Sequence, residues 1–202
     1  MTDVKPSRIL KAISRAETPI TELCLDAIRI KTLSPTDSAS LSQHAVDIEF
    51  LALNQTKLLN FDNFPVFANC ECLEFHDNPT LPSELAKIPT FFPRLQELSL
   101  AGCTNLSALP DLDFVAFLPD LQILNLDPCP LTEITPTYRL PIFEKLPNLL
   151  KIDRLNRQGE EVPSDDEEDE QAQEWIREFY DSVKTGEEIQ DDLNEYQPSR
   201  DN

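Results

Sequence analysis

Glycine is almost missing from this chain, with only Gly102, Gly159 and Gly186 among 202 residues. A loop that cradles phosphate on its main chain needs closely spaced glycines, so that class of nucleotide site is excluded. Histidine is as scarce, limited to His44 and His76. No nucleophile or orienting partner accompanies either one, so neither an enzyme nor a cofactor is expected. Basic residues are outnumbered 37 to 17, which leaves a formal net charge of -20. That balance repels nucleic acid and anionic lipid and attracts basic proteins. Long hydrophobic runs are lacking too. The opening stretch MTDVKPSRILKAISRAE sets basic residues inside its apolar pattern and reads as neither a signal peptide nor a membrane span. The five cysteines, Cys24, Cys70, Cys72, Cys103 and Cys129, are an odd number, read as free thiols in a reducing compartment.

What the chain does contain is 40% hydrophobic residues, arranged in a repeat. The template L-x-x-L-x-L-x-x-N/C-x-L, with apolar substitutes, fits five times. Ile20, Leu23, Leu25, Ile28 and Ile30 fill it first, then Ile48, Leu51, Leu53, Thr56 and Leu58. Cys70, Leu73, Phe75, Asn78 and Thr80 form the third copy. Leu95, Leu98, Leu100 and Cys103 form the fourth, whose last position is polar Asn105 with Leu106 beside it. Leu121, Leu124, Leu126, Cys129 and Leu131 form the fifth. First positions are separated by 28, 22, 25 and 26 residues, mostly within the leucine-rich-repeat range. The expected fold is an α/β leucine-rich-repeat solenoid, right-handed, with a parallel sheet on its concave face. No single copy can bury its apolar side, whereas five stacked copies share one core.

The expected layout follows. Residues 1–19 form an N-terminal helical cap, with Ser7 before Ile9, Leu10 and Ile13. Residues 20–136 hold the five repeats, and 137–159 a C-terminal cap. Pro93, Pro119 and Pro147 each stand two residues before a first template position, where proline ends a helical segment and favours extended chain. Ser83 and Asp113 are read as capping residues of two short convex helices. Residues 160–202 form an acidic tail, expected to be largely disordered, with 17 acidic and 3 basic residues. Within it Trp175, Ile176, Phe179, Tyr180 and Val183 share a helical spacing that suits a short amphipathic helix at 173–185.

The closing segment carries a resemblance. Tyr138-Arg139, Ile142-Phe143, Leu146-Pro147 and Leu149 through Ile152-Asp153 resemble a capping motif of nuclear repeat proteins. These include the acidic leucine-rich nuclear phosphoproteins and the U2 small nuclear ribonucleoprotein A-prime subunit. Ile20-Thr-Glu-Leu-Cys-Leu-Asp26, Ile48-Glu-Phe-Leu51, Leu73-Glu-Phe-His-Asp-Asn78 and Gly159-Glu-Glu-Val-Pro-Ser-Asp165 are similar to the former family, in its order, over roughly residues 5 to 170. The resemblance implies a histone chaperone that also inhibits histone acetylation and serine/threonine phosphatase 2A. Two departures stand out: the tail is short, with one dense block, and it lacks the Lys/Arg cluster that serves nuclear import, Arg200 standing alone. Residence in nucleus and cytoplasm is expected.

Candidate sites divide in two. In the tail, Asp165, Asp166, Glu167, Glu168, Asp169 and Glu170 are expected to bind histones or other basic partners, helped by Trp175 and Phe179. Ser164, followed by acidic residues, is a phosphorylation candidate. On the concave face, Glu22, Asp26, Phe50, Glu74, Glu97 and Asp127 are expected to grip a basic peptide. A plain solvated sheet face would look the same. Cys70-x-Cys72 resembles half a zinc site, but the repeat turns one residue inward and the other outward, so no metal is expected. His76 reads as a solvated histidine beside Asp77. The alternative function is a scaffold subunit of a nuclear complex, such as a splicing particle, binding through the concave face. Neither direct nucleic-acid nor membrane binding is expected.

Overall fold

The computed structural model of the protein describes residues 7–162. The acidic block, Ser164, Trp175, Phe179 and the proposed tail helix lie outside the described residues.

The first leucine of each L-x-L is the centre of a three-residue strand, its side chain turned inward and its neighbours outward. The strands are β1 (Glu22–Cys24), β2 (Phe50–Ala52), β3 (Cys72–Glu74), β4 (Glu97–Ser99) and β5 (Ile123–Asn125). They pair in parallel and in one register, so that Leu23, Leu51, Leu73, Leu98 and Leu124 stack in a buried row. β6 (Lys151–Ile152) continues the parallel order with Ile152, and β7 (Leu155–Asn156) closes the sheet antiparallel to it. That reversal departs from the all-parallel expectation and has a simple cause. Asp153 adopts a left-handed φ of 53°, which turns the chain straight back along β6.

The other inward positions fill one core. Leu25, Leu53, Phe75, Leu100 and Leu126 are all buried, as are Ile20, Ile48, Cys70, Leu95 and Leu121. In the fourth repeat Leu106 takes the inward place and Asn105 instead donates to the Pro79 carbonyl at 2.7 Å. Asn78 is the buried polar hub that the template's ninth position requires. It donates to the carbonyls of Leu53, Phe75 and His76 at 2.9, 3.3 and 3.2 Å, and accepts from Thr56 Oγ1 and Leu58 N at 2.9 and 3.2 Å. Cys103, the same position one repeat on, bonds through its Sγ to the Phe75 carbonyl at 3.4 Å. Leu53 O, at 3.0 Å, is a second acceptor within reach of the same Thr56 hydroxyl. Buried turn backbone thus finds partners that the core leucines cannot supply.

The convex side is built from short helices: α2 (Pro35–Ser42), α3 (Pro82–Leu85), α4 (Ile88–Phe91), a 3-10 segment (Leu109–Phe117), α5 (Pro130–Ile134) and α6 (Arg139–Lys145). Phe92, Leu118 and Leu146 end three of them, with ψ of 69°, 86° and 92°, each directly before a proline. Aromatic rings fill the space behind the strands, with Phe67 stacked on Phe92 at 5.2 Å and Phe61 on Phe75 at 5.7 Å. The capping roles differ from expectation. α3 has no side-chain cap, its N-cap being Leu81, so Ser83 does not cap it. The 3-10 segment is held by Asp111, which accepts from Ser107 N and Ala108 N at 3.0 and 2.9 Å. Asp113 pairs with Lys145. The first helix, α1 (Arg8–Ile13), is capped by Ser7, whose Oγ accepts from Leu10 N at 3.0 Å, and it buries Ile9 against the core. No helix among the described residues is long and apolar enough to cross a membrane.

The far end is tied down by Asp153. Its Oδ1 accepts from Leu126 N and Asp127 N at 2.6 and 2.7 Å, and its Oδ2 accepts from the Tyr138 hydroxyl. Arg139 approaches the same oxygen at 3.5 Å. One carboxylate therefore joins the last repeat, α6 and the β6–β7 turn.

Candidate functional site: the concave sheet face

The register sets the outward side chains in rows across the strands. The first row runs Glu22, Phe50, Cys72, Glu97, Ile123 and Lys151, and the second Cys24, Ala52, Glu74, Ser99 and Asn125. A third row follows in the turns: Asp26, Asn54, His76, Ala101 and Asp127. Adjacent turns are joined by Ala27 N to Asn54 O, Gln55 N to His76 O and Asp77 N to Ala101 O, at 2.8, 2.9 and 2.9 Å.

Side-chain bonds tie these rows together. Asp26 accepts from Asn54 N and Nδ2 at 2.8 and 3.2 Å. Asn54 Nδ2 also donates to Glu74 Oε2 at 2.7 Å, and Asn54 Oδ1 accepts from His76 N at 2.8 Å. Asn54 therefore holds two carboxylates from neighbouring repeats on one side chain. Glu97 accepts from Asn125 Nδ2 at 3.2 Å, and Asp127 from Thr132 Oγ1 at 3.0 Å. Glu22, Asp26, Glu74 and Asp127 make no ion pair with a described residue. Neutral amides and hydroxyls fix Asp26, Glu74 and Asp127 without supplying a positive charge.

Three details differ from the sequence reading. His76 is not freely solvated, because its Nε2 bonds to the Ser99 hydroxyl and so covers Ser99, which is only 3% exposed. Phe50 is half-buried rather than exposed, and Ala52 is buried beside it. Lys151 also closes the first row, placing a cation at the far end of an acidic face.

Sequence reasoning missed Glu49 and Glu71. Both are exposed, and both lie at the second template position, next to the first row. The Glu49 carbonyl accepts from Glu71 N and Cys72 N at 2.8 and 3.1 Å, which sets the two residues on adjacent strands. The repeat register contained that signal, since Ile48-Glu49 and Cys70-Glu71 occupy the same two template positions. The cysteines sit as the register requires, Cys70 buried and Cys72 half-buried on the opposite side of the strand. Burial pushes both thiols up to about 12, with the Glu97 and Glu74 charges adding to the effect at Cys72. Neither is a thiolate at neutral pH. Among the described residues no three His, Cys, Asp or Glu side chains converge as a metal site would require.

Known proteins place this arrangement in a family context. No family model matches the chain. An acidic leucine-rich nuclear phosphoprotein 32-related protein of Plasmodium falciparum is 32% identical over 150 residues, 74% of this chain and 52% of that protein. The acidic leucine-rich nuclear phosphoprotein 32 family member A of Drosophila melanogaster is 33% identical over 158 residues, 77% of this chain and 56% of its own length. The chain thus spans about half the length of the curated relatives it matches. Among solved structures, a chain of the Drosophila melanogaster SNF/U2A' complex superposes with a TM-score of 0.55 and 25% identity, covering 81% of this chain and 87% of that one.

Proposed function

This chain is, through its repeat domain, a relative of the acidic leucine-rich nuclear phosphoproteins, and on that premise we propose that it is a histone-binding chaperone of the nucleus. It is a protein-binding module built as a leucine-rich-repeat solenoid. The observation that carries the proposal is the set of concave carboxylates Asp26, Glu74 and Asp127, held by neutral donors, with Glu22 in the first row, none of the four in an ion pair with a described residue. Histone tails are rich in Lys and Arg and supply the missing charge. The acidic block at 165–170 would act on the same partner by competing with DNA phosphate for it. Phosphorylation of Ser164 would add roughly -1.5 to -2 charge beside that block at neutral pH. Inhibition of serine/threonine phosphatase 2A is proposed with it, on the family resemblance alone.

A second reading draws on the U2A' neighbour, which was solved in a complex with SNF. Here the chain is a scaffold subunit that holds one partner on the concave face, and the tail is dispensable. One experiment separates the two. Core histones are titrated into the full chain, into a variant with Asp26→Asn, Glu74→Gln and Asp127→Asn, and into a variant with residues 165–170 changed to Asn and Gln. Chaperone action predicts that both variants bind histones more weakly. Undiminished histone binding by both would overturn it, and loss in the concave variant alone would favour the scaffold.

A further inference from the structure

One end of this acidic molecule is bordered by cations. Arg8 and Lys11 of α1, and Arg15 in the turn that continues it, stand at i, i+3 and i+7, a spacing that places them along one helix face. All three are exposed, and none makes an ion pair with a described residue. They line a groove of about 520 Å³ together with Leu23 and Ile28 and with Glu22 and Cys24 of β1.

The wall of that groove is a sheet edge. Among the described residues β1 pairs with β2 and with no other strand. Main-chain groups of a strand alternate in direction, and here the odd-numbered residues face β2: Thr21 O accepts from Phe50 N at 3.0 Å, and Leu25 N donates to Ala52 O at 2.8 Å. The N–H and C=O of Glu22 and Cys24 therefore point away from β2, and no described residue bonds to them. An open edge is a template for another strand, and natural sheets cover it or guard it.

We infer that the groove between α1 and β1 is a docking site for an extended acidic segment of a partner protein, which adds a strand beside Glu22–Cys24 and pairs its carboxylates with Arg8, Lys11 and Arg15. Two independent features select that occupant. The free main-chain donors and acceptors of Glu22 and Cys24 suit a strand, as in recognition by β-augmentation. The three cations select negative side chains and reject the basic peptides suited to the concave face. Partly buried Ile28 offers apolar surface to the alternate side chains of the incoming strand. The groove and the concave carboxylates thus differ in sign, so one solenoid can hold a basic and an acidic chain together. This inference does not depend on the histone reading.

The test uses a fluorescein-labelled ten-residue peptide alternating Glu with Val and Thr, titrated against the full chain and followed by anisotropy. Saturable binding is expected, weaker by about tenfold or more in the Arg8→Gln, Lys11→Gln, Arg15→Gln variant and at raised salt. Glutamine keeps helix propensity close to that of the replaced residues, and circular dichroism checks that the variant folds. The same peptide N-methylated on alternate amides should also lose about tenfold or more, since it cannot form one side of a ladder. Glu74→Gln with Glu97→Gln should bind the peptide as the wild type does, which keeps this result separate from the concave-face reading. Absent binding, or equal binding by the triple variant, would overturn the site. Equal binding of the methylated peptide would overturn the added strand and reduce the cations to guards of the edge.

Discussion

Repeated positions let one residue be read against its counterparts. Leu100 and Leu126 occupy the same inward place and are both fully buried. Replacing Leu100 with Ala leaves a cavity that its neighbours cannot fill, so unfolding in urea should show a loss of about 2–5 kcal/mol. No measurable loss would mean that the repeat register is wrong. The turns give a finer comparison. Ala27, Gln55 and Asp77 all adopt a left-handed φ, at 57°, 58° and 56°, and Gly102 stands at the same step with 71°. A side chain at Gly102 would also overlap the Asp77 carboxylate. Gly102→Ala should therefore cost about 1–3 kcal/mol in denaturant unfolding, the usual range for a forced left-handed residue. Ala27→Gly should be nearly neutral, because relief of left-handed strain is offset by the entropy that glycine loses on folding. Equal effects of the two substitutions would refute this account of the turn.

Whole elements are held by fewer residues than their length implies, and the C-terminal cap shows this best. Tyr138 is buried and donates to Asp153, and its pKa is raised, by burial first and by Asp153 second. In the unfolded chain a tyrosine releases its proton near pH 10. The folded protein holds that proton to higher pH, so the contribution is complete below about pH 10 and is lost as pH rises through the folded value. Thermal unfolding between about pH 9 and 11 should show the wild type losing stability more steeply than Tyr138→Phe. Parallel pH profiles would rule out this coupling. The cap motif was legible in the sequence through its resemblance to the closing motif of nuclear repeat proteins, which takes in Tyr138, Arg139 and Asp153. The strand reversal at β7 was not, since it depends on a left-handed aspartate that no hydrophobic pattern marks. Helix caps were misread for a related reason. Ser83 and Asp113 have the right chemistry, but Asp111 reaches the free N–H groups of Ser107 and Ala108. Inward positions follow a period and can be counted, whereas outward ones depend on what covers them. The burial of Ser99 under His76 is such a case.

At the scale of the molecule the question is how charge and apolar contact share the work of binding. The described concave face offers fixed carboxylates, and the sequence beyond residue 162 adds both a dense acidic block and the single tryptophan. These two contributions respond differently to salt. Changing residues 165–170 to Asn and Gln removes six charges and should weaken histone binding most at low salt. The Debye length is about 10 Å at 0.1 M and about 3 Å at 1 M, so long-range attraction is largely gone at the higher value. Trp175→Ala with Phe179→Ala leaves the charge unchanged. If those rings contact histone, their loss should cost ~2 kcal/mol or more and should persist at high salt, as for buried aromatic anchors. Calorimetry of both variants at two salt concentrations gives four affinities to set against the wild type. A charge variant that weakens binding equally at both concentrations would contradict an electrostatic role for the block. Wild-type affinity in both variants would remove the tail from the mechanism and leave Glu22, Asp26, Glu74, Glu97 and Asp127 to carry the basic partner alone.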